Sequence, residues 1–210
     1  MDLESTIKKI ELNEVVKKVT VWSETCGTGF YKILWDNQGG NKVGLHNGKD
    51  VFEGEVKVLA VSPFEIFPDS LTNQEINDCA SIIHAKAMSV KDVKEIYGID
   101  LAGSTIDVQS LSKLGSFDSK SQNTIDNAVI VIERYEKPNS QLKNGRLITV
   151  AGGQLLYCGD LPYMNASNGL RTYPFVKQCS FEQAGSFFGY SVIERLIPIQ
   201  RAFNAVKNRK

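Results

Sequence analysis

Residues 128–158, AVIVIERYEKPNSQLKNGRLITVAGGQLLYC, decide the fold class. Ala128 to Glu136, Arg146 to Ala151 and Gln154 to Cys158 are three runs rich in β-branched and aromatic side chains, which suit a pleated sheet. Pro138-Asn139 and Asn144-Gly145 separate the first two runs, and Gly152-Gly153 the second and third. These residues supply the dihedrals of tight turns, so the spacing predicts an antiparallel meander.

Upstream, the stretch from Asp2 to about Trp22 has helical spacing. Leu12, Val15, Val16, Val19 and Trp22 recur at three- and four-residue intervals, and Gly27 and Gly29 end the pattern. Phe30 to Trp35 reads as a strand. Asn37 to Gly40 and His46 to Lys49 carry turn chemistry, and Gly54 to Val61 is strand-like again. The region from about Gly27 to Val61 is therefore expected to form a small antiparallel sheet with tight hairpins. Pro63 and Pro68 bracket a segment that they deny a central place in any sheet. Thr72 with Glu75 has the pattern of a capping box opening a short helix. Ala80 to Ala87 suits a strand, and Ser89, Asp92 and Gly98 bound a helix over Val90 to Tyr97. Leu101 to Asn127 is dominated by polar residues and glycine and is expected to be a mobile loop. Asp160 to Tyr173 is also loop-like.

At the C-terminus, Ser191 and Glu194 form another capping box, followed by a helical pattern to the last residue. Pro198 lies inside it and predicts a kink. No acidic residue follows Glu194, whereas Arg195, Arg201, Lys207, Arg209 and Lys210 are basic. The helix shows no stop signal, from which a truncated chain is expected. The organisation expected is thus 1–100, a helix plus a β-rich part; 101–127, the loop; 128–190, a second β-meander part; and 191–210, the helix.

The composition narrows function by exclusion. The chain has 210 residues, 42% hydrophobic and 23% charged, enough for one or two cores. Lys+Arg and Asp+Glu balance at 24 each, so any nucleic-acid contact must come from a local cluster. No apolar run approaches the roughly 20 residues of a membrane helix, and no signal-type stretch opens the chain. It reads as a cytoplasmically made protein with no membrane partner. Cys26, Cys79, Cys158 and Cys179 lack metal-type spacing and are expected to be reduced thiols. His46 and His84 have no ligand partner at helical spacing. Gly189 to Ile193 lacks the second glycine of a nucleophile elbow, with Ser191 better explained as a cap. Gly27-Thr28-Gly29 runs into a strand and not a dinucleotide-binding helix. The expectation is no enzyme, no metal and no cofactor. The basic C-terminal helix stays open between two readings: a solvated face with cations near the helix C-terminus, or a surface facing a polyanion.

Several stretches taken together resemble one family. WSETCGTGFYKILW (22–35), VSPFEIFPDS (61–70), IIHAKAMSVKDVKEIYG (82–98), LPYMNASNGLRTYPFVKQ (161–178) and SFFGYSVIERLIPIQRAFNAVKNRK (186–210) are similar, in this order, to segments of tailed-bacteriophage portal proteins, the head–tail connectors. Leu101 to Asn127 contributes nothing to the resemblance. The resemblance implies an α+β fold: a small antiparallel β-rich wing domain, flanking helices, and a protruding C-terminal helix that starts the stem. It implies a structural role in a ring of twelve subunits at the capsid vertex of the virion, assembled in the host cytoplasm. Double-stranded DNA passes through such a ring during packaging and genome ejection, and terminase large subunit and adaptor or tail proteins dock on it. Ser191, Glu194 and Pro198 would then cap and kink the stem helix, and Arg201, Lys207, Arg209 and Lys210 become candidates for channel or stem contacts. The clip, second stem helix and crown of that family have no counterpart in this sequence. The alternatives are an inactive prophage remnant of a portal gene, or a small nucleic-acid-binding module using the basic helix.

Overall fold

The computed structural model describes residues 11–46, 48–107, 124–165 and 169–209. In chain order its elements begin with α1 (Leu12–Cys26), β1 (Thr28–Asp36), β2 (Lys42–His46), β3 (Lys49–Phe52), β4 (Glu55–Val61), β5 (Ile66–Pro68) and β6 (Ser81–Ser89). They continue with α2 (Val90–Tyr97), β7 (Ser104–Asp107), β8 (Thr124–Glu136), β9 (Arg146–Ala151), β10 (Gln154–Gly159), β11 (Phe175–Cys179) and α3 (Val192–Lys207). The fold is α+β with antiparallel sheets and a C-terminal helix.

Two units divide the chain: Met1–Val61 with Pro174–Ala184 and Phe188–Lys210, and Ser62–Tyr173 with Gly185–Phe187. This division cuts across the segments expected from sequence, splitting both 1–100 and 128–190 between units.

In the first unit β1 is the middle strand of a three-stranded sheet, ordered β11-β1-β4. The Gly27 to Val61 sheet expected from sequence thus takes a third strand from far along the chain, and β2 and β3 pair separately as a two-stranded ribbon. Helix α1 ends at Gly27, whose φ of 87° lets its N–H return to Ser23 O at 2.8 Å. Gly29 then lies against α1, where a Cβ would meet the Val19 carbonyl oxygen at 2.7 Å. Gln178 of β11 ties the layers together: it accepts from the Tyr31 hydroxyl and donates to the Thr20 and Ser23 hydroxyls, each at 3.3 Å.

The second unit is built on a sheet ordered β10-β9-β8-β6-β5, with β7 also pairing with β8. The meander β8-β9-β10 and its turns stand where the opening stretch placed them. Strand β5 is an edge strand, as its flanking prolines require. Ser89 caps α2 by accepting from the Asp92 N–H at 3.1 Å, and Gly98 closes it at φ 71°. Val93 packs onto Val129, Val131 and Ala151 of the sheet, with Tyr97, Leu101 and Leu156 around them.

Two expectations change here. The capping box at Thr72 and Glu75 opens no α-helix: Ser70 Oγ takes the Thr72 N–H at 3.2 Å, Glu75 makes no side-chain cap bond, and only a single 3-10 turn follows at Ile76–Asp78. The expected loop at 101–127 contains β7 and the start of β8, and its interior, 108–123, lies outside the described residues. Alternating Ser104-Thr105-Ile106-Asp107 is too short and polar to announce itself, but β8 offers it a free partner.

On the sheet face away from α2, Arg146 Nε donates to Glu136 at 2.6 Å and Arg134 lies 3.0 Å from its other oxygen. The Arg146 hydrogen bond is the main cause holding the Glu136 carboxyl below its ordinary value. Because the folded value is depressed, this pairing stabilises the fold above the ordinary glutamate range and its contribution disappears as pH falls through the lowered value. Arg146→Met should therefore lower stability to urea at neutral pH and converge with the parent protein in acid. An equal loss at both pH values would contradict this.

Candidate functional site

The helix singled out by sequence, α3, is rooted in a contact between two backbones. Gly27 and Gly189 approach so closely that a Cβ on Gly27 would sit 2.1 Å from the Gly189 carbonyl oxygen. A Cβ on Gly189 would sit 2.4 Å from Phe181 O and 2.9 Å from Gly27 O. The Thr28 hydroxyl accepts from the Gly189 N–H at 2.8 Å, and Ser180 N–H donates to Gly27 O at 3.1 Å. Phe181 and Tyr190 bridge by paired backbone bonds, and Phe188 sets its ring edge-on to Phe30, with centroids 6.5 Å apart. The two glycine-bearing stretches that resembled portal segments, 27–29 and 188–190, therefore meet within one unit.

From this root α3 starts at Ser191, whose Oγ accepts from the Glu194 N–H at 2.9 Å. Glu194 lies in the first turn, where its charge suits the helix N-terminus. Pro198 is inside the helix, which runs on to Lys207; lacking an N–H, it cannot donate to the carbonyl one turn back. Arg195 is not free for a ligand, since its guanidinium stacks 3.9 Å from the Phe181 ring centroid.

None of the residues of α3 is buried. Leu196, Ile199, Phe203 and Val206 are 53%, 66%, 60% and 68% exposed. With Val192 they are spaced four, three, four and three residues apart, the repeat of a helix-packing seam. At about 100° per residue they fall within an arc of roughly 80°. The same geometry puts Arg201 opposite the seam and Lys207 beside it, about 120° from Arg201. Arg209 follows the helix end in a turn, and Lys210 lies outside the described residues. Arg201 and Lys207 are thus not brought onto one face. The seam is a signal carried by the spacing of the apolar residues and not by the charges or Pro198.

The other ionisable constellation is in the second unit. His84 of β6 is 2% exposed and sits directly opposite Glu133 of β8. Its Nδ1 lies 2.7 Å from Glu133 and its Nε2 3.3 Å from Glu65, so carboxylates flank both ring nitrogens. The Tyr135 hydroxyl donates to the same Glu133 oxygen at 3.1 Å, and burial, then the Glu133 charge, pushes its pKa well above the ordinary tyrosine value. Burial and Glu133 likewise raise Tyr97 on α2. No partner for His84 was legible in its own segment, because Glu133 reaches it through strand pairing and Glu65 from the turn that enters β5. His46 is exposed at the end of β2, next to the β2–β3 turn. Among the described residues no group of three or more His, Cys, Asp or Glu side chains is placed to hold a metal ion. The His84 ring is buried and bonded on both sides while Glu65 stays 31% exposed, and the geometry suits tying β6 to β8 and to the turn that enters β5. No family model matches the chain, and no curated protein matches it.

Two outcomes are expected. Gly189→Ala should destabilise the chain by roughly 1–3 kcal/mol in chemical denaturation, because the atoms it strikes are backbone. His84→Leu should cost about 3–5 kcal/mol by leaving two carboxylates without their shared partner, and replacing Glu65 and Glu133 with leucine as well should recover much of it. A silent His84→Leu would remove the strand-linking role.

Proposed function

We propose that this chain is a ring-forming structural subunit of the phage-portal type, contributing wing and initial stem, and that it is not an enzyme. The observation that carries the reading is α3: sixteen helical residues, none buried, with an apolar seam open to solvent. A helix this short gains little stability by itself in water, and one that exposes Leu196, Ile199, Phe203 and Val206 gains it by packing on another element. Helices projecting from a rigid unit and packing side by side are what a ring with a central stem requires. The ordered resemblance to portal segments supports the same assignment, including the partners it implies: other copies of the subunit, DNA in the channel, and the packaging motor and tail adaptors.

In such a ring the seam faces neighbouring helices and Arg201, on the far side, is the basic residue best placed toward DNA. The separation of Arg201 from Lys207 around the helix does not favour an isolated DNA-binding face.

Light scattering with negative-stain imaging tests the proposal. The chain should self-associate through α3 as its concentration rises, while Leu196→Asp/Phe203→Asp should stay monomeric with an unchanged β-sheet signal. Arg201→Ala should assemble like the parent. A parent chain that remains monomeric throughout, or a doubly substituted chain that assembles equally well, would overturn the proposal.

A further inference from the structure

We propose that the groove between α1 and the free edge of β4 accepts an extended, basic segment of a partner protein as an added β-strand. Among the described residues strand β4 is an outer strand of the β11-β1-β4 sheet, and its seven residues, Glu55 to Val61, are registered with β1 on one side only. In an antiparallel pair, alternate residues direct their N–H and C=O toward the partner and the intervening ones point away. The far side of β4 therefore presents main-chain groups that an incoming strand can use, and that a helix, whose own groups are internally bonded, cannot.

A cavity of about 570 Å³ lies along this edge. Residues of α1 line it on one side, Val15 among them, and the run from Glu55 to Ala60 lines it on the other. Charge selects the occupant. Among the described residues Glu11, Glu14, Asp36 and Glu55 line the groove together with Lys18 and Lys57. Glu14 is already 2.7 Å from Lys17, which tempers its pull but leaves the acidic excess in place. A strand with apolar residues toward Val15 and Val58 and lysine or arginine between them matches these walls. This inference does not depend on ring formation.

The test is fluorescence polarisation of the full chain with three labelled heptapeptides. One alternates lysine and valine, the second is the same peptide N-methylated at alternate backbone nitrogens, and the third alternates glutamate and valine. The plain basic peptide should bind. The N-methylated form, equal in charge but stripped of donors, should bind at least about tenfold more weakly, and the acidic peptide more weakly still. Glu11→Lys/Glu14→Lys should weaken the plain peptide about tenfold with an unchanged circular dichroism spectrum. Equal binding of the plain and N-methylated peptides would reduce the groove to unspecific charge attraction and overturn the inference. So would the absence of binding by any peptide. The peptide comparison needs no variant and stands even where the substituted chain misfolds.

Discussion

The contact on which the first unit depends is the side-chain-free approach of Gly27 to Gly189. It joins the end of α1, the start of β1 and the root of α3 at one point, with the Thr28 hydroxyl holding the Gly189 N–H. Backbone atoms packed this tightly cannot yield a few tenths of an ångström as a flexible side chain can. The direction in which α3 leaves its unit is therefore set by main chain. Ser191 starts the helix two residues later, and the Arg195–Phe181 stack steadies its first turn. A helix whose root is fixed and whose body is exposed is a presented element, and this connects the packing of 27–29 with 188–190 to the proposed role.

The second unit solves a different problem. Its central strands carry a buried histidine, met by the partly buried carboxylates of Glu133 and Glu65. Two carboxylates flank one imidazole, and the cluster links β6 to β8 and to the segment entering β5. Such a cluster contributes less to net stability than apolar packing of equal volume, but breaking it is costly, so it favours one strand register over its neighbours. Val93 and its sheet partners then cover the same face. The result is a braced sheet.

Where the periodicity was local, it was readable: the meander from Ala128 to Gly159, the helix between Ser89 and Gly98, and the helix after Ser191 all follow from nearby residues. What depended on distant partners was not. Strand β11 forms because β1 has an open side, and nothing within Phe175 to Cys179 says so. Lys32 reads as an outward residue of a strand, yet it is 1% exposed with its ammonium 5.6 Å from the Phe175 ring centroid. The two carboxylates beside His84 come from distant segments, Glu133 from β8 and Glu65 from the turn before β5. At the candidate site, Ser191 was visible as a cap, whereas the separation of Arg201 and Lys207 needed the helix wheel rather than the list of charges.

Amide hydrogen exchange across α3 as a function of protein concentration tests the central claim most directly. Covered by other copies, the amides of Leu196 to Val206 should be protected at high concentration and lose that protection on dilution, while those of α1 stay protected throughout. Exchange in α3 that is the same at every concentration would contradict the claim that this seam is an assembly surface.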